Sequence, residues 1–172
     1  KDEAYQHKNI TEKLFVLNRN IYLKQVTIKH CIFKSIGQYN ILGGSLYIKT
    51  QNSNNTINNC KFQNCFSKIG GSIYIHSNHK SITILEKCIF DNNKSTEKGG
   101  SIFIFKSNEF FKTCKFIENY ILYDKYQHTK KQIKTKGGGI MAYESNESFE
   151  KCIFKDNSAA YGEDIYSKRS EL

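Results

Sequence analysis

The chain is 172 residues long, which bounds it to one domain. Its formal net charge is +10, but only Arg19 and Arg169 of its 26 basic residues are arginine, and Pro and Trp are absent; this lysine excess reads as the composition of an AT-rich coding sequence, so nucleic acid is not expected as a partner. No long apolar run and no signal-peptide regions occur, so no transmembrane segment is expected.

Residues 1–25 include Thr11 to Leu17, which could form a short strand or a helical turn. This segment is expected to be an N-terminal cap or a preceding partial coil. From residue 26 a unit returns five times. The first copy carries Cys31-Ile32-Phe33, then Gly43-Gly44-Ser45-Leu46-Tyr47-Ile48. The second carries Cys60-Lys61-Phe62 and Gly70-Gly71-Ser72-Ile73-Tyr74-Ile75. The third carries Cys88-Ile89-Phe90 and Gly99-Gly100-Ser101-Ile102-Phe103-Ile104. The fourth has Cys114-Lys115-Phe116 and a looser Gly137-Gly138-Gly139-Ile140-Met141-Ala142. The fifth has Cys152-Ile153-Phe154 and a worn Gly162-Glu163-Asp164-Ile165-Tyr166. Residues 167–172 form a short tail, and the chain is expected to be part of a longer protein or a processed product.

Spacings of 29, 28, 26 and 38 residues between the cysteines place the unit among solenoids, propellers and arrays. Alternation of apolar and polar residues, as in Ser45-Leu46-Tyr47-Ile48-Lys49, marks strands and argues against helical repeats. A unit of about 28 residues holds roughly three short strands, fewer than a propeller blade needs. The expected fold is therefore all-β: a parallel β-helix, or β-solenoid, of about five coils, each about 4.8 Å from the next. Cys31, Cys60, Cys88, Cys114 and Cys152 then form one internal ladder, and Phe33, Phe62, Phe90, Phe116 and Phe154 another. Ile28, Ile57, Leu85, Phe111 and Phe149 form a third. Leu46, Ile73, Ile102 and Ile140 line a second wall, while Tyr47, Tyr74 and Phe103 alternate with them and should point outward. Asn93, Asn119 and Asn157 close their units at tight bends, a place held by Ile36 and Cys65 in the first two coils.

Gly70-Gly71-Ser72-Ile73 and Gly99-Gly100-Ser101-Ile102, together with Phe90-Asp91-Asn92-Asn93, Phe116-Ile117-Glu118-Asn119 and Phe154-Lys155-Asp156-Asn157, carry a family likeness. The chain resembles the polymorphic outer membrane protein repeats of bacterial surface autotransporters, with Ser in place of the commoner Ala. That resemblance implies a right-handed parallel β-helix of the pectin-lyase-like kind. It also implies an extracellular or cell-surface location with a structural or adhesive role.

The wide gap between Cys114 and Cys152 reads as an inserted loop at residues 120–136, rich in tyrosine and lysine. Tyr123, Tyr126, Lys130 and Lys131 in that loop, and the stripe of Tyr47, Tyr74 and Phe103, are the candidate contacts for a protein or glycan partner, acidic by charge complementarity. Further β-helix coils, of the same or a neighbouring chain, are a second class of partner. Cys65 could pair locally or stay free, and without a CxxC pair no metal or other cofactor is expected. Sequons at Asn9, Asn54, Asn93 and Asn146 are candidate glycosylation sites.

The leading functional expectation is a non-catalytic structural or adhesive module. One rival is a polysaccharide-cleaving enzyme of the pectin-lyase-like fold. Glu118 and Asp156 are the only neighbouring acids offered for it, and turn chemistry explains them equally well. The other rival is a structural subunit docked in a large assembly.

Overall fold

The structure is a computed structural model that describes residues 9–10, 15–16, 26–122 and 135–169. It is all-β, with parallel sheets wound into a solenoid of about five turns. Each coil passes through four sheets in turn, the fifth joining the third sheet by a bridge between Tyr120 and Ser158 in place of a strand. The first sheet stacks Thr27–Lys29, Asn54–Asn58, Ile82–Glu86, Asn108–Lys112 and Asn146–Glu150. The second stacks Asn9–Ile10, Ile32–Lys34, Lys61–Gln63, Ile89–Asp91, Lys115–Ile117 and Ile153–Lys155. The third stacks Gly37–Leu42, Phe66–Ile69, Lys94–Lys98 and Tyr120–Ile121. The fourth stacks Phe15–Val16, Leu46–Lys49, Ile73–His76, Ile102–Phe105, Ile140–Tyr143 and Ile165–Lys168.

Four strands per coil correct the expectation of roughly three. The third-sheet strand was hidden because its inward residues are polar. Ser67 and Ser95 are fully buried, and their hydroxyls bond the Gly70 and Lys98 carbonyls instead of packing against apolar neighbours. The pairing there also slips in register between Ser95 and Lys98, which erases the alternation that would mark a strand.

Left-handed residues make the corners. His30, Asn59, Lys87, Thr113 and Lys151 precede the five cysteines with φ between 52° and 54°. Ser35, Asn64, Asn92, Glu118 and Asp156 turn the chain again, two residues after each phenylalanine rung and directly ahead of the bend position. Thr113 is the costly member of these sets, because a β-branched side chain is strained at positive φ. Thr113→Asn should raise stability by about 0.5–1 kcal/mol, read from the midpoint of urea unfolding. A loss of stability would mean that the threonine side chain contributes more than its backbone costs.

The core is a set of columns. The rings of Phe33, Phe62, Phe90, Phe116 and Phe154 stack with centroids 4.7–5.0 Å apart and planes within 6° of parallel. Phe111 meets Phe116 edge-on and stacks on Phe149. The second wall pairs Leu46, Ile73, Ile102 and Ile140 rung by rung. None of the six cysteines forms a disulfide. From the second coil on, each ladder thiol reaches a carbonyl in the coil before it, as Cys88 Sγ does to Ile57 O at 3.4 Å. Burial, and then the neighbouring Cys60, push the Cys31 thiol up to about 11. Cys65 stays buried in the bend column.

That bend column is the most connected part of the interior. Asn93 Nδ2 donates to Asn119 Oδ1 at 3.0 Å, and Asn119 Nδ2 donates to Asn157 Oδ1 at 2.9 Å. The same side-chain oxygens accept the Asn93 and Asn119 backbone N–H groups. Each amide also donates back to a phenylalanine carbonyl: Phe62, Phe90 and Phe116 in turn. Cys65 substitutes for asparagine by pointing its thiol at the equivalent Phe33 carbonyl, 3.5 Å away, while accepting from the Ser45 hydroxyl.

Candidate binding face

The fourth sheet fixes the geometry of the candidate face. Alternation sends Leu46 and Ile48 inward, so Tyr47 between them lies on the outer side. In-register pairing then sets Tyr47, Tyr74, Phe103, Met141 and Tyr166 in one outer column. The ring centroids of Tyr47, Tyr74 and Phe103 are 5.1 Å apart at both steps. The stripe expected from the sequence thus exists as one continuous stack. It is not uniformly open: Tyr47 and Tyr74 are half-buried, whereas Phe103 and Met141 are 7% and 3% exposed. Phe103 is therefore a covered rung and not a contact residue. Burial, and then proximity to Tyr47, push the Tyr74 hydroxyl up to about 12. A phenol raised in this way contributes stability below its ordinary range near 10, and that contribution is lost as pH rises through 12. In an alkaline absorbance titration, Tyr74→Phe should remove the phase that titrates last; survival of that phase would contradict this environment.

Two residues further along the same strands lies a column that the sequence reading missed. Lys49, His76, Phe105, Tyr143 and Lys168 align across it. His76 packs on Phe105 at 4.9 Å, and Phe105 on Tyr143 at 5.7 Å. Lys106 Nζ sits 5.1 Å over the Phe105 ring while pairing with Glu144 at 3.4 Å. Lys136 Nζ sits 4.5 Å over Tyr166. His76, Phe105 and Tyr143 are partly exposed, so this column offers rings edged by ammonium groups. Burial, then the positive charges of Lys49 and Lys106, hold His76 below its ordinary value. The missed signal was the period of two continued past Tyr47, Tyr74 and Phe103.

The other expected sites fall as follows. Tyr123, Tyr126, Lys130 and Lys131 lie outside the described residues. The flanks of that insertion belong to the coil, since Leu122 N–H donates to Ser95 O and Lys136 bridges Lys98 and Tyr161. Asn54 and Asn146 are exposed on the first sheet. Asn9 begins a short strand paired with Ile32 and Phe33. Asn93 is corrected as a glycosylation site: its amide is fully buried in the bend column, and a glycan there is incompatible with the folded coil. Glu118 and Asp156 are exposed corner residues with φ of 53° and 54°. Among the described residues no cluster of three or more His, Cys, Asp or Glu could hold a metal ion.

The third coil decides the likeness. Residues 87–104 match the Chlamydia polymorphic membrane protein repeat. The match runs from the corner before Cys88, through Phe90 and the bend at Asn93, to Ile104 in the fourth sheet. It covers the two signatures that recur along the chain. Proteins of the polymorphic membrane protein family are associated with the outer membrane and the cell surface. The repeat and the solenoid together fit a surface structural or adhesive module. No curated protein and no solved structure matches the chain. No helix among the described residues is long and apolar enough to cross a membrane.

Proposed function

We propose that this chain is a non-catalytic β-helix module of a surface or secreted protein, of the pectin-lyase-like kind, that presents its fourth sheet to an acidic glycan. The observation that carries the proposal is the double aromatic column with its border of lysines. The partly exposed His76, Phe105 and Tyr143 rings offer apolar surface to sugars, and Lys49, Lys106 and Lys168 supply charge opposite carboxylate or sulfate groups. An acidic protein surface would meet the same chemistry. The rigid coil holds the rings in place before binding, which lowers the ordering cost of association.

The test is affinity for a carboxylated or sulfated polysaccharide immobilised on a sensor surface. Phe105→Ala combined with Tyr143→Ala should weaken binding at least about tenfold. Glu118→Gln combined with Asp156→Asn should leave it unchanged. Loss of a polysaccharide-cleaving activity in that acid pair would replace this proposal with the enzyme reading.

The fifth coil favours a second role, docking against further coils. Phe149 is 37% exposed and Phe154 is partly exposed, whereas Phe111 and Phe116 one rung earlier are fully buried. Another coil of the same or a neighbouring chain would cover them.

A further inference from the structure

Inside the first sheet runs a column of polar residues. Asn55, Thr83, Glu109 and Glu147 share one inward register position. Its first part is satisfied, because Asn55 Nδ2 donates to Thr50 Oγ1 at 3.1 Å and to Thr83 Oγ1 at 3.3 Å. Its later part is not. Glu109 is 1% exposed, and neither of its carboxyl oxygens has a hydrogen-bond partner. The hydroxyl of Ser107, a fully buried residue, also lacks one, as does the buried Glu147 Oε1. The Ser107 hydroxyl favours the charged form of Glu109, yet makes no hydrogen bond to it. Glu147 Oε2 accepts from Ser167 Oγ at 3.3 Å, and Arg169 also favours the charged form of Glu147. Among the described residues neither carboxylate has a salt bridge.

Two carboxyl groups on adjacent rungs in a buried column need either a proton or a cation to offset their charge. A shared proton would serve one oxygen of each and leave the other Glu109 oxygen and the Ser107 hydroxyl bare. We propose that Glu109, Glu147 and Ser107 form an internal site for a hard divalent cation of the calcium class. Two carboxylates match a double positive charge, and an all-oxygen donor set selects calcium or magnesium over zinc or copper. Calcium tolerates a bidentate Glu109 and an irregular shell completed by water. Glu147 is partly exposed, which gives the ion a path from the fifth coil.

Melting curves of the chain after chelator treatment, with and without calcium chloride, test the site. Calcium about a hundredfold above its Kd should raise Tm by roughly 5–10 °C. Glu109→Gln should abolish that shift, and Glu118→Gln, at an exposed corner, should preserve it. Glutamine carries no charge into the column, so Glu109→Gln is expected to fold. No shift at about 10 mM calcium, well above the weakest expected Kd, would overturn the proposal and assign the pair a shared proton. An equal shift in Glu109→Gln would overturn it too, placing calcium elsewhere.

Discussion

Gly100→Ala should destabilise the solenoid by more than about 4 kcal/mol, enough to leave little folded protein. A β-carbon at Gly100 would lie 2.0 Å from the Gly138 carbonyl oxygen, with the Tyr120 backbone N and O at 2.7 and 2.8 Å. Each obstacle is backbone, so no side chain can swing away. Moving the neighbouring coil is no remedy, because the Gly100 N–H to Gly137 O bond at 2.9 Å and the Ser101 N–H to Gly139 O bond at 3.0 Å hold the coils together. The two glycines of each pair serve different ends. Gly99 supplies a φ of 60°, whereas Gly100 supplies room for the next coil. Circular dichroism during urea unfolding measures the effect, and a loss below about 1 kcal/mol would show that the coils can part at this point.

Asn119→Ala should cost about 3–5 kcal/mol. It removes two donated and two accepted bonds at once, leaving the Asn93 N–H, the Asn93 amide, the Phe90 carbonyl and Asn157 Oδ1 short of a partner in the interior. Asn119→Cys should recover part of the loss, since Cys65 already satisfies the equivalent Phe33 carbonyl from that position. The order of urea midpoints, wild type above cysteine above alanine, is the expected outcome. If alanine matched the wild type, the buried column would contribute nothing to stability.

The parts of the fold that were legible rested on residues whose chemistry matches their place. Leu46, Ile48, Phe62 and Cys88 are apolar and buried, and they recur at fixed offsets, so the columns could be written out from the sequence. The third-sheet strand was not legible, because buried Ser67 and Ser95 look like loop residues until their carbonyl partners are known. Glu109 was missed for a related reason. A glutamate in an alternating strand is read as facing water, and only the register that aligns it with Thr83 and Asn55 turns it inward. On the candidate face, the repeat placed Tyr47, Tyr74 and Phe103 in line. The burial of Phe103 depends on contacts from elsewhere in the fold, which no local pattern carries.

The in-register winding makes the fourth sheet a ruler. Along its partly exposed column of His76, Phe105 and Tyr143 the rings advance in steps of 4.9 and 5.7 Å, near the spacing that backbone pairing sets. A polymer whose own units repeat near that interval could seat one unit per rung, and its contacts would then add along its length. A polymer of another pitch drifts out of phase within a few rungs. Selectivity would then lie in periodicity as much as in the chemistry of any single contact, and adding or deleting whole coils would change the reach of the face without changing what it measures.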